Sequence, residues 1–574
     1  MAASRHGVSL PGASFDSVIL AAVLAECGWL TGATVQRVQP AGDAEIAISL
    51  RAADRGRTLL VSVHPRWGRL HLTGRVRPGA ATPFAQLLRS RLGGAVVTGW
   101  DAPSFDRLVV LHFETLEGPV DLAIEIMGRH GNLVLCERGV ILGALRPVGC
   151  DRARGRAVLP QRPYVRPPIP RTTPVTVSTA DLLTTAPDRP AWRAVLDGTG
   201  GIGPALAWEA CLRAEVDPAT SLDERAAERI VAALREIGHD VIAGRFSPAV
   251  YRDTQRQPVA YAAFPMRVFA RWQAEPSTMS AAVEAVVAHA VSRAALDAAR
   301  AGLAATVAAA AGRVARALDA AADDARVAAD ADRLRQHGEL ILAYLTSIAP
   351  AQSVLEVPGF DGAPVRITLD PRLTGVENAQ VYFKRYARAA AARKRLPERR
   401  AALERERAFL DAAKTAIEQA ETADDLWAIE QDLIAAGLRR PGRSAITPRA
   451  ADQGRAFSLP GGFQACVGRS AQENERLTFE RAGPDDLWLH ARGMPGAHVV
   501  VVGGSGRPSD AAIATAAAIA AYYSAGRQAA KVPVDVTLRK HVRKIRGGRP
   551  GQVTYTNERT LTVAPGLPAA RTRA

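Results

Sequence analysis

Two histidines and a run of cations near the C-terminus carry the densest chemistry in the chain. Asp485-Asp486-Leu487-Trp488-Leu489-His490-Ala491-Arg492 is followed by Pro495-Gly496-Ala497-His498 and the apolar run Val499 to Val502. Leu487 and Leu489, alternating with polar neighbours, predict a half-buried strand, Pro495-Gly496 a tight turn, and the valines a buried returning strand. That hairpin gathers His490, Arg492 and His498 near one sheet edge, where they suit hydrogen bonding and phosphate contact. From Arg527 onward follow Lys531, Arg539, Lys540, His541, Arg543, Lys544, Arg546 and Arg549, opposed only by Asp535. Such a charge excess is costly to fold unless something anionic and extended neutralises it, and nucleic-acid phosphate is the common candidate.

A second group lies toward the N-terminus. Phe105-Asp106-Arg107 introduces a strand, and Glu125-Ile126-Met127-Gly128-Arg129-His130-Gly131-Asn132 joins two strands. Read alone, Asp106 and Arg107 make a surface ion pair worth under about 1 kcal/mol. The Gly-flanked Arg129-His130 presents a planar fork and an imidazole, both suited to base edges and stacking in unpaired RNA. A hairpin turn with incidental polar residues is the plain alternative. Gly201-Ile202-Gly203-Pro204-Ala205-Leu206 turns into a helix and either offers backbone N–H groups to a phosphate or is an ordinary interhelix turn.

Catalytic and metal chemistry find little support. The sequence has no HExxH pair, GxSxG elbow or GxxxxGK[ST] loop, so no catalytic residue is assigned and no cofactor is expected. The acidic pairs Asp323-Asp324, Asp424-Asp425 and Asp485-Asp486 fall on helices or a strand approach, where adjacent side chains do not face each other as an acid/base dyad requires. Cys27, Cys136, Cys150, Cys211 and Cys466 have no CxxC or Cys/His spacing, so neither a metal site nor a disulfide framework is indicated. The formal net charge of +16, from 73 basic and 57 acidic residues, again points to an anionic partner. Val18 to Leu24 is apolar but short, broken by Glu26, and lacks the flanks of a signal sequence. No run approaches the roughly 18 to 20 apolar residues that span a bilayer, so the expectation is a cytoplasmic protein with no membrane partner.

The elements that must position these groups fall into several domains, because 574 residues exceed one core. Residues 15 to about 148 alternate helix signals (16–30, 83–92) with strand signals (45–50, 58–64, 107–113, 122–125, 133–136), which predicts a mixed domain with a largely antiparallel sheet. A Pro- and Arg-rich linker follows from Pro160 to Pro174, then short helical segments to about 270. Leu296, Leu303, Val307, Val314 and Leu318 recur at spacings of seven and four in an Ala-rich helix running to about Leu345. Leu396, Leu403, Leu410 and Ile417 recur every seven residues, so the two segments suit a long antiparallel pair with 350–380 as its tip. Pro397 should kink the second helix or mark where it begins. Arg571 to Ala574 reads as a frayed tail.

Several ordered blocks also carry a family resemblance. Val467-Gly468-Arg469, Asn474 with Leu477-Thr478, the Asp-Leu-Trp-Leu-His block, Pro-Gly-Ala-His, Tyr522-Tyr523-Ser524, Val534-Asp535-Val536-Thr537 and Pro550-Gly551-Gln552-Val553 resemble the RNA-binding domain of the NFACT family. His64-Pro65, Arg69-Leu70-His71-Leu72-Thr73, Pro83-Phe84 with Leu87-Leu88-Arg89, Tyr164 and Pro167-Pro168 resemble its N-terminal domain. Gly338-Glu339-Leu340, Leu369-Asp370-Pro371, Glu377-Asn378-Ala379-Gln380 and Tyr382-Phe383 resemble its coiled-coil arm.

The resemblance implies an α+β multidomain fold. Its parts are a mixed α/β N-terminal lobe like that of formamidopyrimidine glycosylases over 1–172, a helix-hairpin-helix-like region over 178–275, a long antiparallel coiled-coil arm over 280–440 with its tip at about 346–380, and a C-terminal α+β RNA-binding domain over 455–565. It implies that Asp106, Arg107, Glu125, Ile126, Met127, Gly128, Arg129 and His130 bind the anticodon arm of tRNA. His490, Arg492, His498, Arg539, Lys540, Arg543, Lys544 and Arg546 are then the candidates for other RNA contacts. Gly131 stands where the family usually has Ser, which puts that side chain's hydrogen bond in question. The implied function is ribosome quality control. The protein would bind a large ribosomal subunit, both rRNA and ribosomal proteins, that still holds an obstructed peptidyl-tRNA, with a small RNA-binding partner protein. It would recruit alanyl-tRNA and direct untemplated alanine tailing, with no bond chemistry of its own. A DNA glycosylase of related fold would need an N-terminal Pro amine followed by Glu, where this sequence reads Met1-Ala2-Ala3-Ser4. The family's older fibronectin-binding name suggests a surface adhesin, for which no secretion signal or wall anchor is read.

Overall fold

Nine strands of the N-terminal region close into one antiparallel sheet in the order β4-β3-β2-β1-β5-β6-β7-β8-β9. They are β1 (Thr34–Gly42), β2 (Glu45–Ala52), β3 (Arg55–Ser62), β4 (Arg69–Thr73), β5 (Val96–Asp101), β6 (Leu108–Thr115), β7 (Gly118–Glu125), β8 (Asn132–Glu137) and β9 (Val140–Ala144). The structure is a computed structural model that describes residues 14–42, 44–53, 55–149, 156–185, 189–442 and 455–568. The expectations for Met1 to Ser4, Cys150 and the tail from Arg571 lie outside the described residues. The chain divides into two units, Met1–Arg293 and Ala294–Ala574.

In the first unit, helices α1 (Ser17–Ala25) and α2 (Pro83–Leu92) bury Leu20, Val23 and Leu88 against Ile48, Leu59 and Phe113 of the sheet. Each helix starts on a side-chain cap, Asp16 accepting the N–H groups of Val18 and Ile19 at 3.1 Å and Thr82 that of Ala85 at 3.1 Å. β1 and β5 share a single register pair, Thr34 with Val96, whereas sequence-adjacent strands such as β6 and β7 pair along their length. β1, β4, β5 and β9 escape the sequence pattern. Register shifts between Val35 and Arg37 and between Pro40 and Gly42 break the alternation of β1, and β4 is buried at every residue.

Beyond the sheet come α3 (Thr179–Thr185), α4 (Ala191–Gly198), α5 (Pro204–Arg213) and α6 (Glu224–Ile242). The region expected to hold only short helices also contains a three-stranded sheet of β10 (Ala249–Arg252), β11 (Pro258–Ala262) and β12 (Gln273–Pro276). Then α7 (Met279–Ala329) begins, its first N–H groups at Met279 and Ser280 donating to the Glu26 carboxylate, the latter at 3.1 Å.

The second unit continues α7 and adds α8 (Ala331–Ala343), the hairpin β13 (Val354–Pro358) and β14 (Pro364–Thr368), then α9 (Gly375–Gln419) and α10 (Ala423–Ala435). α7 and α8 run antiparallel to α9. Leu303, Val307 and Val314 are buried with Phe409, Leu410 and Ile417, while Arg399 meets Asp324 at 3.3 Å and Arg393 meets Asp332 at 3.1 Å. Two expectations change. The first helix breaks at Asp330 rather than running on to Leu345, and α9 starts at a Thr374/Glu377 capping box and carries Pro397 inside it, so Pro397 does not mark its start. The stretch Met279–Ala343 also contains one window of mean hydropathy 1.2, long and apolar enough by composition to cross a membrane, which the sequence pattern did not lead one to expect.

The C-terminal part is β-rich. It comprises β15 (Arg455–Ser458), β16 (Phe463–Val467), α11 (Ala471–Arg476), β17 (Leu487–Ala491), β18 (Val499–Gly503), α12 (Asp510–Tyr522), β19 (Val532–Leu538), β20 (Val542–Lys544), β21 (Val553–Tyr555) and β22 (Arg559–Val563). Six strands form a sheet in the order β15-β16-β18-β17-β19-β22. One face packs on α12 through Val499, Val501, Ile513 and Ile519, and the other buries Trp488, Val500 and Val542. β17 is therefore an interior strand and not an edge, and both Trp488 and Leu489 are fully buried where a half-buried strand was expected. The chain reverses at Arg492-Gly493-Met494, with Gly493 at φ +67°, while Gly496 bridges to Ser524 and is not the turn.

Candidate nucleic-acid interface

The loop between β7 and β8 is built from residues of opposite fates. Glu125, at the end of β7, is buried and receives the Arg156 guanidinium, one contact at 3.1 Å, and the Tyr164 hydroxyl at 2.9 Å. Ile126 is also in the core, and Met127 is half-buried. Glu125 and Ile126 therefore shape the loop from behind, where direct RNA contact was expected of them. Gly128, at φ +57°, begins a 3₁₀ turn that leaves Arg129 and His130 exposed, the Arg129 Nε donating to His130 Nε2 at 3.0 Å.

Neighbouring segments add cations that the sequence pattern did not single out. A Cβ on Gly131 would lie 3.2 Å from the Val63 carbonyl, and one on Gly68 would lie 3.1 Å from Ile126, so the 63–68 loop abuts this one. His64 Nδ1 accepts the N–H groups of Arg66 and Trp67 at 3.1 Å, which sets Arg66 over the Trp67 ring at 4.7 Å. Burial, opposed by Glu45 and aided by nearby arginines, holds the His64 pKa below its ordinary value. Arg146 donates to the Gly131 carbonyl at 3.1 Å. The Arg-Trp adjacency was the available signal for this patch.

Asp106 and Arg107 join the same patch, since the Ile126 N–H donates to the Arg107 carbonyl at 2.9 Å. Asp106 is not half of a surface ion pair. It is 8% exposed, one carboxylate oxygen accepts the Arg107 N–H at 2.6 Å, and the other is buried without a hydrogen-bond partner. Phe105 adopts φ +59°, and a Cβ on Gly201 would fall 2.2 Å from its carbonyl oxygen, so only glycine fits there. The Gly-x-Gly turn does not hold its N–H open for phosphate, because Gly203 donates to the Asp16 carboxylate at 2.9 Å.

In the C-terminal sheet, His490 stacks on Trp488 at 5.7 Å and meets His498 edge-on at 5.5 Å. Burial pulls the His490 pKa down, and the same cause, with His490 beside it, drives that of His498 to about 3. His498 is 2% exposed, shares a hydrogen bond with the Thr478 hydroxyl at 2.8 Å and donates its backbone N–H to Asn474 at 3.0 Å. It is a neutral internal group and not a phosphate contact. Arg492 is exposed and donates to Thr560 at 2.9 Å.

The basic segment is more neutralised than its composition suggests. Asp535, read as its sole opponent, is buried, accepts from Tyr555 and Thr560 at 2.8 and 2.6 Å, and lies 3.7 Å from the Nε of Arg492, outside that segment. Lys540 pairs with Asp485 at 2.8 Å and Lys544 with Glu475 at 2.6 Å, while Arg539 donates to the Thr478 and Phe479 carbonyls at 2.9 and 3.3 Å. Arg543 and Arg546 are exposed and have no ion-pair partner among the described residues. No group of three or more His, Cys, Asp or Glu able to hold a metal ion occurs among the described residues. The cysteines described are buried, with burial pushing the Cys27 and Cys211 thiols up to about 12.

Residues 16–446 match the family described as NFACT N-terminal and middle domains, and residues 454–548 match NFACT protein RNA binding domain. A relative from Bacillus subtilis (strain 168), named Rqc2 homolog RqcH, is 26% identical over 557 residues, covering 93% of this chain and 95% of that protein. One of the same name from Streptococcus pneumoniae serotype 2 is 28% identical over 574 residues, covering 96% and 98%. A solved structure of the C-terminal of the fibronectin/fibrinogen-binding protein from Streptococcus suis is 27% identical over 47% of this chain and 96% of that one, with a TM-score of 0.37.

Proposed function

The chain belongs to the NFACT family, and from that premise we propose that it is a ribosome quality-control factor of the cytoplasm. It binds large ribosomal subunits that still carry an obstructed peptidyl-tRNA, through rRNA, ribosomal proteins and a small RNA-binding partner. It recruits alanyl-tRNA and directs untemplated addition of alanine to the stalled chain. The observation that carries this reading is the pairing, in one chain, of the N-terminal and middle domains with an RNA-binding domain, alongside relatives named RqcH matched over nearly their whole length.

In this reading residues 1–172 form a glycosylase-like lobe that grips tRNA, 178–275 a helix-hairpin-helix-like region, 280–440 a coiled-coil arm with its tip at 346–380, and 455–565 the RNA-binding domain. Arg107, Arg129 and His130 touch tRNA, with Asp106, Glu125, Ile126, Met127 and Gly128 setting the loop that presents them. Arg543, Arg546 and Arg492 meet RNA phosphates in the second unit. The protein makes no bond itself. Its contribution is to hold reactants in register, which can lower a barrier by about 7 to 11 kcal/mol. Sequencing the RNA recovered with the purified chain should show alanine tRNA and large-subunit rRNA enriched. Replacing Asp106 and Arg107 together by Ala should abolish tailing in a cell lacking the native protein. Normal tailing by that double variant would remove the pair from the site.

A further inference from the structure

Between α9 and the end of the C-terminal sheet near the β17–β18 turn lies a cleft of about 730 Å³, within the size range of pockets that take up a small organic ligand. It is open because α9 presents small residues there. Ala412, Ala413 and Ala416 line it beside Phe409; Ala413 also packs in the helix seam, while Ala412 is half-buried, so added bulk at Ala412 would intrude on the cleft. The opposite wall brings His490, Met494 and Tyr555, the aromatic rings gathered about Trp488 at 5.7 and 5.0 Å.

Most polar groups along the cleft are already engaged. Arg469 holds Glu473 at 2.8 Å, Arg455 holds Asp425 at 2.5 Å, and Gln419 donates to the Ser524 carbonyl at 2.6 Å. Gln552 donates to the Arg405 carbonyl at 2.8 Å. Arg405, a half-buried residue on the lining of the cleft, has no ion-pair partner among the described residues. Glu404, paired with Arg400 at 2.9 Å, and the exposed Asp411 also face the cleft and limit how much negative charge it accepts. An apolar wall, an aromatic end and one uncommitted cation match a flat heterocycle bearing a single phosphate better than a polyanion.

We propose that this cleft receives one unpaired nucleotide, its base taken up by the aromatic and apolar lining and its phosphate met by Arg405. The inference rests on the reading of this unit as RNA-binding, which favours a nucleotide extruded from an RNA strand. A free nucleotide shares the chemistry, and the experiment separates the two sources. The full-length chain is titrated with a single-stranded RNA decamer carrying a central 2-aminopurine, with the matching duplex, and with 2-aminopurine riboside monophosphate. Ala412→Trp intrudes on the cleft and Arg405→Gln removes its cation, and thermal melting monitors the fold of each.

Both variants should weaken decamer binding about tenfold, suppress the 2-aminopurine emission change and leave duplex affinity unaltered. Monophosphate binding that both variants abolish, with decamer binding unaffected, sustains the cleft with the free nucleotide as its ligand. Folded variants that match the wild type on the decamer and the monophosphate alike overturn the proposal. If the wild-type chain binds no RNA, the parent reading is lost, and the monophosphate alone decides the cleft: variant-sensitive binding sustains it and no binding overturns it. Should Ala412→Trp fail to fold, Arg405→Gln alone sustains or overturns the cleft on the same outcomes.

Discussion

On the proposed contact of Arg543 and Arg546 with RNA phosphates, replacing both by Ala should flatten the salt dependence of RNA binding. Both side chains are exposed and unpaired among the described residues, so each is free to displace a counterion from a phosphate. Each phosphate contact contributes about 0.7 to the slope of log affinity against log salt for a single strand. Losing two lowers the slope by about 1.4. Over a rise from about 50 to about 200 mM salt, the wild type then weakens about sevenfold more than the double variant. Lys544 differs, because Glu475 holds it at 2.6 Å and an arriving strand must first displace a carboxylate. Lys544→Ala should therefore move the slope less than half as far as Arg543→Ala. The assay is fluorescence anisotropy of a labelled single-stranded RNA titrated with the full chain across a salt series. Equal slopes for wild type and double variant would remove the segment from the interface. An effect of Lys544→Ala as large as that of Arg543→Ala would refute the argument from pairing.

Other changes should act on stability. Glu125→Gln strips a buried carboxylate from Arg156 and Tyr164, and a urea midpoint should report a loss of about 3 kcal/mol; an unchanged midpoint would mean the network carries no stability. Gly131→Ser places a Cβ within 3.1 to 3.2 Å of three carbonyl oxygens, those of Glu125, Gly128 and Val63. It should cost about 1 to 2 kcal/mol by crowding, and a raised melting temperature would show that the loop yields. His498, with its folded pKa at about 3, takes its proton more readily in the unfolded chain. Its contribution is whole above the ordinary histidine value of about 6.5 and is lost as pH falls toward 3, at about 1.4 kcal/mol per unit. His498→Gln should remove that slope from the acid limb of the stability curve, and parallel limbs for the two proteins would contradict the burial argument.

What the residues disclosed on their own follows the range of the interactions involved. Arg129 and His130 could be placed on an exposed turn because glycine and its neighbours set that turn locally. The antiparallel pairing of α7 with α9 was legible in the spacing of Leu303, Val307, Leu410 and Ile417, which is a property of each helix separately. Glu125 and His498 were misplaced because their partners, Arg156 and Thr478, lie at distant positions that spacing does not connect. The same holds for the basic segment, where composition counted Asp535 against the cations from Arg527 onward although the fold sets it against Tyr555, Thr560 and Arg492. The cleft beside α9 was invisible for a further reason. Its alanines look like helix filler until the segments at 468–474 and 545–555 are seen to stand opposite them.

The nine-stranded sheet is two meanders joined along one short seam. β1 to β4 and β5 to β9 each pair with chain neighbours, and the join is four backbone hydrogen bonds between residues 32–35 and 94–97, around the register pair of Thr34 with Val96. Hairpins between neighbours close short loops at little entropic expense, so either half can zip up as soon as its own residues are available. The seam must wait for both. Pulse-labelled hydrogen exchange during refolding should find amides of β2, β3, β6 and β7 protected before those beside Thr34, and the reverse order would undo this account. An N-terminal lobe made this way sets its topology piece by piece in the order of synthesis, with the reconciliation of its halves left to the last.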